Sequence, residues 1–176
     1  ANDGPSAIHD TIAFSKAVSV AIDFYNAHPK ETLIIVTGDH ECGGMSIGFA
    51  GTGYSTFFEK MQGVTMSYEV FDKTVIAAYR ESHAQNAKLS DLYLDIKRAF
   101  GLLAPGDVDA SYKPGMVLSD SEIKSLESAL AKSMIAPKER KFTEEEQLLY
   151  GGYEPLSIAL THILNNKAGI TFSSYS

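Results

Sequence analysis

Residues 6 to 28 repeat apolar side chains at the three- and four-residue spacing of an amphipathic helix, with polar residues on the opposite side. This pattern is typical of a helix that covers a sheet. Ser6 can cap its start, and Pro29 biases the residue before it out of helical geometry. The sequence therefore predicts one long helix at the start of the chain.

The next segment, Leu33 to Val36, is an unbroken apolar run rich in β-branched residues. It predicts a strand buried on both faces, as in the parallel sheet of an α/β protein. Asp39 and His40 follow where open α/β sheets hold their ligands, and a carboxylate with an imidazole suits Zn²⁺. Neighbouring strand residues point to opposite faces, so the pair can share one metal only if the backbone turns, as Gly38 permits. The alternative is that Asp-His merely starts a turn.

Helical spacing dominates from about residue 53 to residue 155, where three successive amphipathic stripes can bury one another. Two capping boxes support these helices, at Ser119 with Glu122 and at Thr143 with Glu146. Residues 45–49 predict a short edge strand, residues 155–164 a last helix, and residues 170–175 a strand that returns to the sheet. The prediction is an α/β core, residues 1–52 and 156–176, interrupted by a helical insertion, residues 53–155.

Composition and charge limit the classes of function that this chain can have. The chain is 44% hydrophobic and 21% charged, and no apolar stretch is long enough to span a membrane. Its net charge of −7 argues against nucleic acid or an anionic membrane surface as partner. A phosphate ester would also be repelled unless metal ions supplied positive charge. The single cysteine, Cys42, excludes an internal disulfide, and we interpret it as packed beside the site rather than as a third ligand.

Two further motifs match their templates only in part, and three histidines have a structural interpretation. Residues 48–55 fit a phosphate-binding loop except that Tyr54 replaces its lysine, which removes the mechanism. Asp107, Asp109 and Ser111 copy three positions of a calcium loop that lacks its glycine and its bidentate glutamate, so we expect a solvated turn. Three histidines are interpreted as helix-end or packed residues rather than ligands: His9, His28 and His162.

Residues 36–44, Val-Thr-Gly-Asp-His-Glu-Cys-Gly-Gly, resemble the Val-Thr-Ala-Asp-His-Glu-Thr-Gly-Gly signature of bacterial alkaline phosphatases. The preceding helix resembles the same family. Residues 1–3 resemble the segment directly after a zinc-ligand histidine, and residues 169–176 resemble the strand leading into another. Residues 53–155 carry no such similarity.

The resemblance implies an α/β/α sandwich and a phosphomonoesterase with two zinc ions and one magnesium ion, which works through a phosphoserine intermediate in the periplasm or outside the cell. Only Asp39 and His40 match family ligands, both of the zinc nearer the nucleophile. The family's nucleophile lies in an Asp-Ser-Ala tripeptide, which this sequence lacks. The nearest match, Asp120-Ser121-Glu122, is interpreted as a helix cap. We therefore expect a C-terminal fragment of a larger enzyme, inactive alone and with weak or no metal binding. Gly38 and Cys42 replace the usual Ala and Thr, which leaves metal preference open.

Two alternatives stay open. The chain could belong to a phosphodiesterase or phosphomutase of the same metal-dependent superfamily, which the upstream nucleophile would distinguish. The helical insertion could instead make it an interaction module, with a homodimer as one outcome. The expected substrate is a phosphate monoester whose identity these residues do not specify.

Overall fold

The computed structural model describes residues 2–83 and 86–175, and these are mainly helical with one small antiparallel sheet. Helix α1 (Gly4–Ala27) matches the predicted first helix. Asp3, rather than Ser6, caps it: the Asp3 carboxylate accepts a hydrogen bond from the Ser6 N–H at 3.0 Å. A π-helical turn, Asp72–Ile76, links the second and third helices. The further helices are α2 (Tyr68–Phe71), α3 (Ala77–Ser82), α4 (Tyr93–Phe100), α5 (Asp120–Ser133), α6 (Glu144–Tyr150) and α7 (Pro155–Ala168).

The main hydrophobic core lies among helices α2 to α7. The predicted apolar stripes are the buried faces of these helices, and α7 packs most extensively against α5. Each fully buried Leu, Ile or Phe side chain contributes about 1.5–3 kcal/mol relative to exposure. Both predicted capping boxes are present. The division at residues 52/53 and 155/156 stays a prediction, and α7, which that division assigns to the α/β core, packs among the helices.

A two-stranded sheet joins the two ends of the chain. Strands β1 (Ser46–Ile47) and β2 (Ile170–Thr171) pair antiparallel, with Ser46 opposite Thr171. The Gly48 N–H continues the pairing by donating to the Gly169 carbonyl at 2.7 Å. Both predicted strands therefore exist in shortened form, and they pair with each other.

The prediction of a buried strand at residues 33–36 is wrong for the described structure. No strand forms there, and Leu33, Ile35 and Val36 expose 82%, 76% and 56% of their surface. A strand needs a neighbour to satisfy its backbone groups, and among the described residues none hydrogen-bonds to the backbone of this segment. Most of α1 is exposed as well, so its apolar rows meet solvent instead of a sheet.

A cluster of charged side chains connects helices α3, α5 and α7 with the segment between α5 and α6. Glu154, just before α7, lies 2.9 Å from Nη2 of Arg80 and 3.1 Å from Nη2 of Arg140. Both arginines also donate to the Ser133 carbonyl, at 2.6 and 3.1 Å. Asp72 lies nearby and accepts a hydrogen bond from the Ser157 hydroxyl. Burial raises the pKa of Asp72 to about 7, against the opposing effects of the Ser157 hydrogen bond and the two arginines.

Candidate metal centre

Asp39 and His40 lie at a bend in the loop that follows residues 33–36. The bend turns the two adjacent side chains toward one another, and Asp39 Oδ2 is 3.5 Å from His40 Nε2. Tetrahedral zinc with bonds of 2.0–2.2 Å holds two such ligand atoms about 3.4 Å apart. The pair therefore has the separation of two ligands of one zinc ion, and both side chains are largely exposed and accessible to it, at 89% and 60%.

The His40 ring is oriented by the next residue. Its Nδ1 lies 2.7 Å from the Glu41 carbonyl oxygen, which can only accept a hydrogen bond. Nδ1 therefore carries the proton, and in the neutral ring Nε2 keeps the lone pair that a metal needs. Histidine ligands of metals commonly donate their second ring N–H to a carbonyl or carboxylate in this way.

Three segments far apart in the sequence meet beside this pair. The Gly43 carbonyl accepts hydrogen bonds from the Ser173 and Ser174 N–H groups, at 2.9 and 3.1 Å. A Cβ added at Gly43 would lie 3.1 Å from the Asn2 side-chain oxygen. The structure thus joins the Asp39–His40 loop to the two segments that the family resemblance places next to further ligands. Ala1 and Ser176, the outermost residues of those segments, lie outside the described residues.

A complete metal site is not formed by the described residues. Among them, no group of three or more His, Cys, Asp and Glu side chains lies close enough to hold a metal ion. Cys42 is exposed rather than packed beside the site. Asp39 and His40 therefore fit two of the four positions that a zinc ion normally fills.

His162 is packed, as expected. Its Nε2 lies 3.3 Å from the Tyr175 hydroxyl and 3.4 Å from Nδ2 of Asn2. Burial lowers the pKa of His162. A histidine packed between a ring and an amide is a structural residue here.

A lysine bridges the two aspartates of the loop at residues 107–111, which resembles a calcium-binding loop. Lys97 Nζ lies 2.7 Å from the Asp107 carboxylate and 2.8 Å from that of Asp109. The lysine supplies the positive charge that a cation would bring, which supports a solvated turn.

Residues 48–55, which fit a phosphate-binding loop apart from Tyr54, form a short 3₁₀ turn at Ala50–Thr52, and Tyr54 is exposed.

Sequence reasoning missed the contacts that support the site. It treated Glu41 only as part of a motif, although its carboxylate accepts hydrogen bonds from the Gly44 N–H at 2.6 Å and the Ser174 hydroxyl at 2.8 Å. The one available signal was a glutamate two residues before a glycine pair. Nothing in the sequence pattern pointed to Ser174 or Asn2, because both reach the loop from distant positions.

Comparison with protein families gives one match. The family model described as "Alkaline phosphatase" covers residues 1–100, more than half of the chain. The matched range contains the Asp39–His40 loop and all of α1, and it continues past residue 52, where the predicted insertion begins. No curated protein and no solved structure matches the chain.

Proposed function

The chain belongs to the alkaline phosphatase family, and from that premise we propose that Asp39 and His40 bind one zinc ion of a phosphomonoesterase that works through a phosphoserine intermediate. The observation that carries this proposal is the convergence of Asp39 Oδ2 and His40 Nε2 to 3.5 Å. The proton on Nδ1, directed at the Glu41 carbonyl, leaves Nε2 available for the metal.

The two residues have distinct tasks in this proposal. The Asp39 carboxylate contributes a negative charge that offsets the cation, while His40 contributes a neutral nitrogen of fixed direction. A zinc ion at this position would polarise a phosphoryl oxygen and favour the deprotonated form of a serine nucleophile. In a chain with net charge −7, bound cations would also reduce repulsion of a phosphate monoester.

We propose that groups other than the described residues bind the second zinc ion and the magnesium ion. The serine nucleophile also lies outside the described residues in this proposal. Two ligands leave zinc short of its usual four, so metal binding by this chain alone should be weak. We accordingly propose that the chain is a C-terminal fragment of the enzyme and is inactive by itself.

The α/β/α sandwich is also a proposal. Leu33, Ile35 and Val36 are exposed although their pattern is that of a buried strand, and α1 also exposes apolar residues. A sheet contributed by the rest of an alkaline phosphatase would cover both, which would remove several large apolar side chains from water. Residues 1–52 and 156–176 would then be one part of the sandwich, and the helical residues 53–155 an insertion into it.

Location and partners rest on the family alone. We propose a periplasmic or secreted enzyme that acts on phosphate monoesters, and a homodimer stays open. No helix among the described residues is both long and apolar enough to cross a membrane.

The test uses a longer protein that contains this chain together with the serine nucleophile and the remaining ligands. Asp39→Ala and His40→Ala should each lower aryl phosphate hydrolysis at alkaline pH by more than about 100-fold, because losing a direct ligand costs more than losing an outer contact. Zinc content, measured by atomic absorption, should fall in both variants. His28→Ala, at the exposed end of α1, is the matched control and should keep activity and zinc.

The 176-residue chain alone, assayed with added zinc and magnesium, should show no turnover. Near-normal activity and zinc content in either ligand variant would refute the proposed metal site. Turnover by the chain alone would mean that the catalytic groups lie elsewhere within it.

A further inference from the structure

The loop formed by residues 41–44 is closed by a side chain. One oxygen of the Glu41 carboxylate accepts the Gly44 N–H at 2.6 Å, and the other accepts the Ser174 hydroxyl at 2.8 Å. Both bonds are charge-assisted, and such bonds are about twice as strong as neutral ones. The carboxylate thus connects the loop to itself and to the segment after β2.

The backbone of the loop is shaped to receive that segment. Gly43 and Gly44 have φ values of 73° and 58°, in the left-handed region that favours glycine. A Cβ at Gly44 would lie 1.9 Å from the Ser173 hydroxyl oxygen, so a side chain there would displace that hydroxyl. With the two N–H bonds to the Gly43 carbonyl, the C-terminal segment is tied to the loop by backbone and side chain together.

Glu41 also contacts the His40 ring. The Glu41 carbonyl receives the His40 Nδ1 proton at 2.7 Å, and that carbonyl belongs to the same residue whose carboxylate closes the turn. Outer contacts of this kind fix the tautomer and the direction of a histidine ligand. One residue therefore links the ring of a proposed ligand to a contact 133 positions away in the sequence.

We propose that Glu41 is the positioning residue of the metal site: its carboxylate, clamped between Gly44 and Ser174, holds its carbonyl where His40 keeps the proton on Nδ1 and presents Nε2. This inference rests on the proposed function, because it assigns a task to Glu41 at that site. Glu41 acts through His40 and need not touch the metal.

The first measurement needs no metal. Long-range ¹H–¹⁵N NMR of the 176-residue chain at pH 8 should find the His40 proton on Nδ1, and Glu41→Ala should move it mainly to Nε2. Exchange of the Gly44 amide should quicken by roughly tenfold in that variant, the factor expected for one lost hydrogen bond. Glu41→Gln should restore most of both properties, because its amide oxygen can accept from Gly44 and its NH₂ group can donate to Ser174. Glu145→Ala, at an exposed glutamate of α6, is the control and should change neither.

The second measurement is titration, with Zn²⁺ alone, of the longer protein that carries the remaining ligands, since zinc binding by the 176-residue chain should be weak. Glu41→Ala should weaken zinc binding by roughly tenfold, the lower end of the range for outer contacts because these groups are exposed, and Ser174→Ala should weaken it less. His40→Ala should abolish binding at the site. If wild type and His40→Ala bind zinc equally, the proposed function fails while the NMR result still decides the role of Glu41. An unchanged tautomer and unchanged Gly44 exchange in Glu41→Ala would overturn the positioning role whatever the zinc result.

Discussion

Replacing Asp72 by asparagine should stabilise the protein at alkaline pH and have little effect under acidic conditions. Asp72 begins the π-helical turn and accepts a hydrogen bond from Ser157 of α7, and asparagine keeps an oxygen for that bond. What the substitution removes is a charge held in a partly buried position beside the Glu154 carboxylate. Arg80 and Arg140 offset that charge in part.

The magnitude follows from the shift in pKa. Burial raises the pKa of Asp72 from 3.8 to about 7, a difference that would correspond to about 4 kcal/mol for a fully shielded group. Because Asp72 is only partly buried, solvent screening reduces the expected effect to about 2 kcal/mol. The folded state keeps a proton that the unfolded state releases between pH 3.8 and about 7, so this contribution to stability is lost as pH rises through that window.

Urea unfolding followed by circular dichroism at pH 5, 6, 7 and 8 measures the effect. The free energy of unfolding of Asp72→Asn should exceed that of wild type by about 2 kcal/mol at pH 8, and the difference should shrink toward pH 5. Asp23→Asn removes a charge from the exposed face of α1 and should show no such trend. A difference between Asp72→Asn and wild type that is the same at every pH would refute the reasoning.

Two further predictions concern stability. Arg140→Ala should lower the free energy of unfolding by about 3 kcal/mol, because the Arg140 side chain is 5% exposed and its loss leaves Glu154 with Arg80 as its cationic partner and removes the donor to the Ile135 carbonyl; a loss below about 1 kcal/mol in urea unfolding would contradict this. Ser119→Ala should cost about 1 kcal/mol by removing the acceptor for the Glu122 N–H at the start of α5. Ser128→Ala, in the exposed middle of the same helix, is its control and should be neutral or slightly stabilising; equal losses in both would show that the cap is not the cause.

Local patterns identified the helices and the candidate ligands. The three- and four-residue spacing predicted α1 and the buried stripes of the helical part, because that spacing follows from the geometry of a single helix. The capping boxes at Ser119 and Thr143 were also predictable, since each involves residues three apart. Asp39 and His40 were found for the same reason: they are adjacent, and their motif is contiguous.

The tertiary structure decided everything that depends on distant partners. An apolar run such as residues 33–36 predicts a buried strand only if other strands lie beside it, and among the described residues none does. The pairing of β1 with β2, the Arg80–Arg140–Glu154 cluster and the clamp of Glu41 on Ser174 join residues widely separated in sequence. The sequence by itself therefore determined which residues can form a helix, a cap or a ligand pair. Packing between segments decided which apolar faces are covered and how His40 is held, because burial and orientation are properties of neighbours in space.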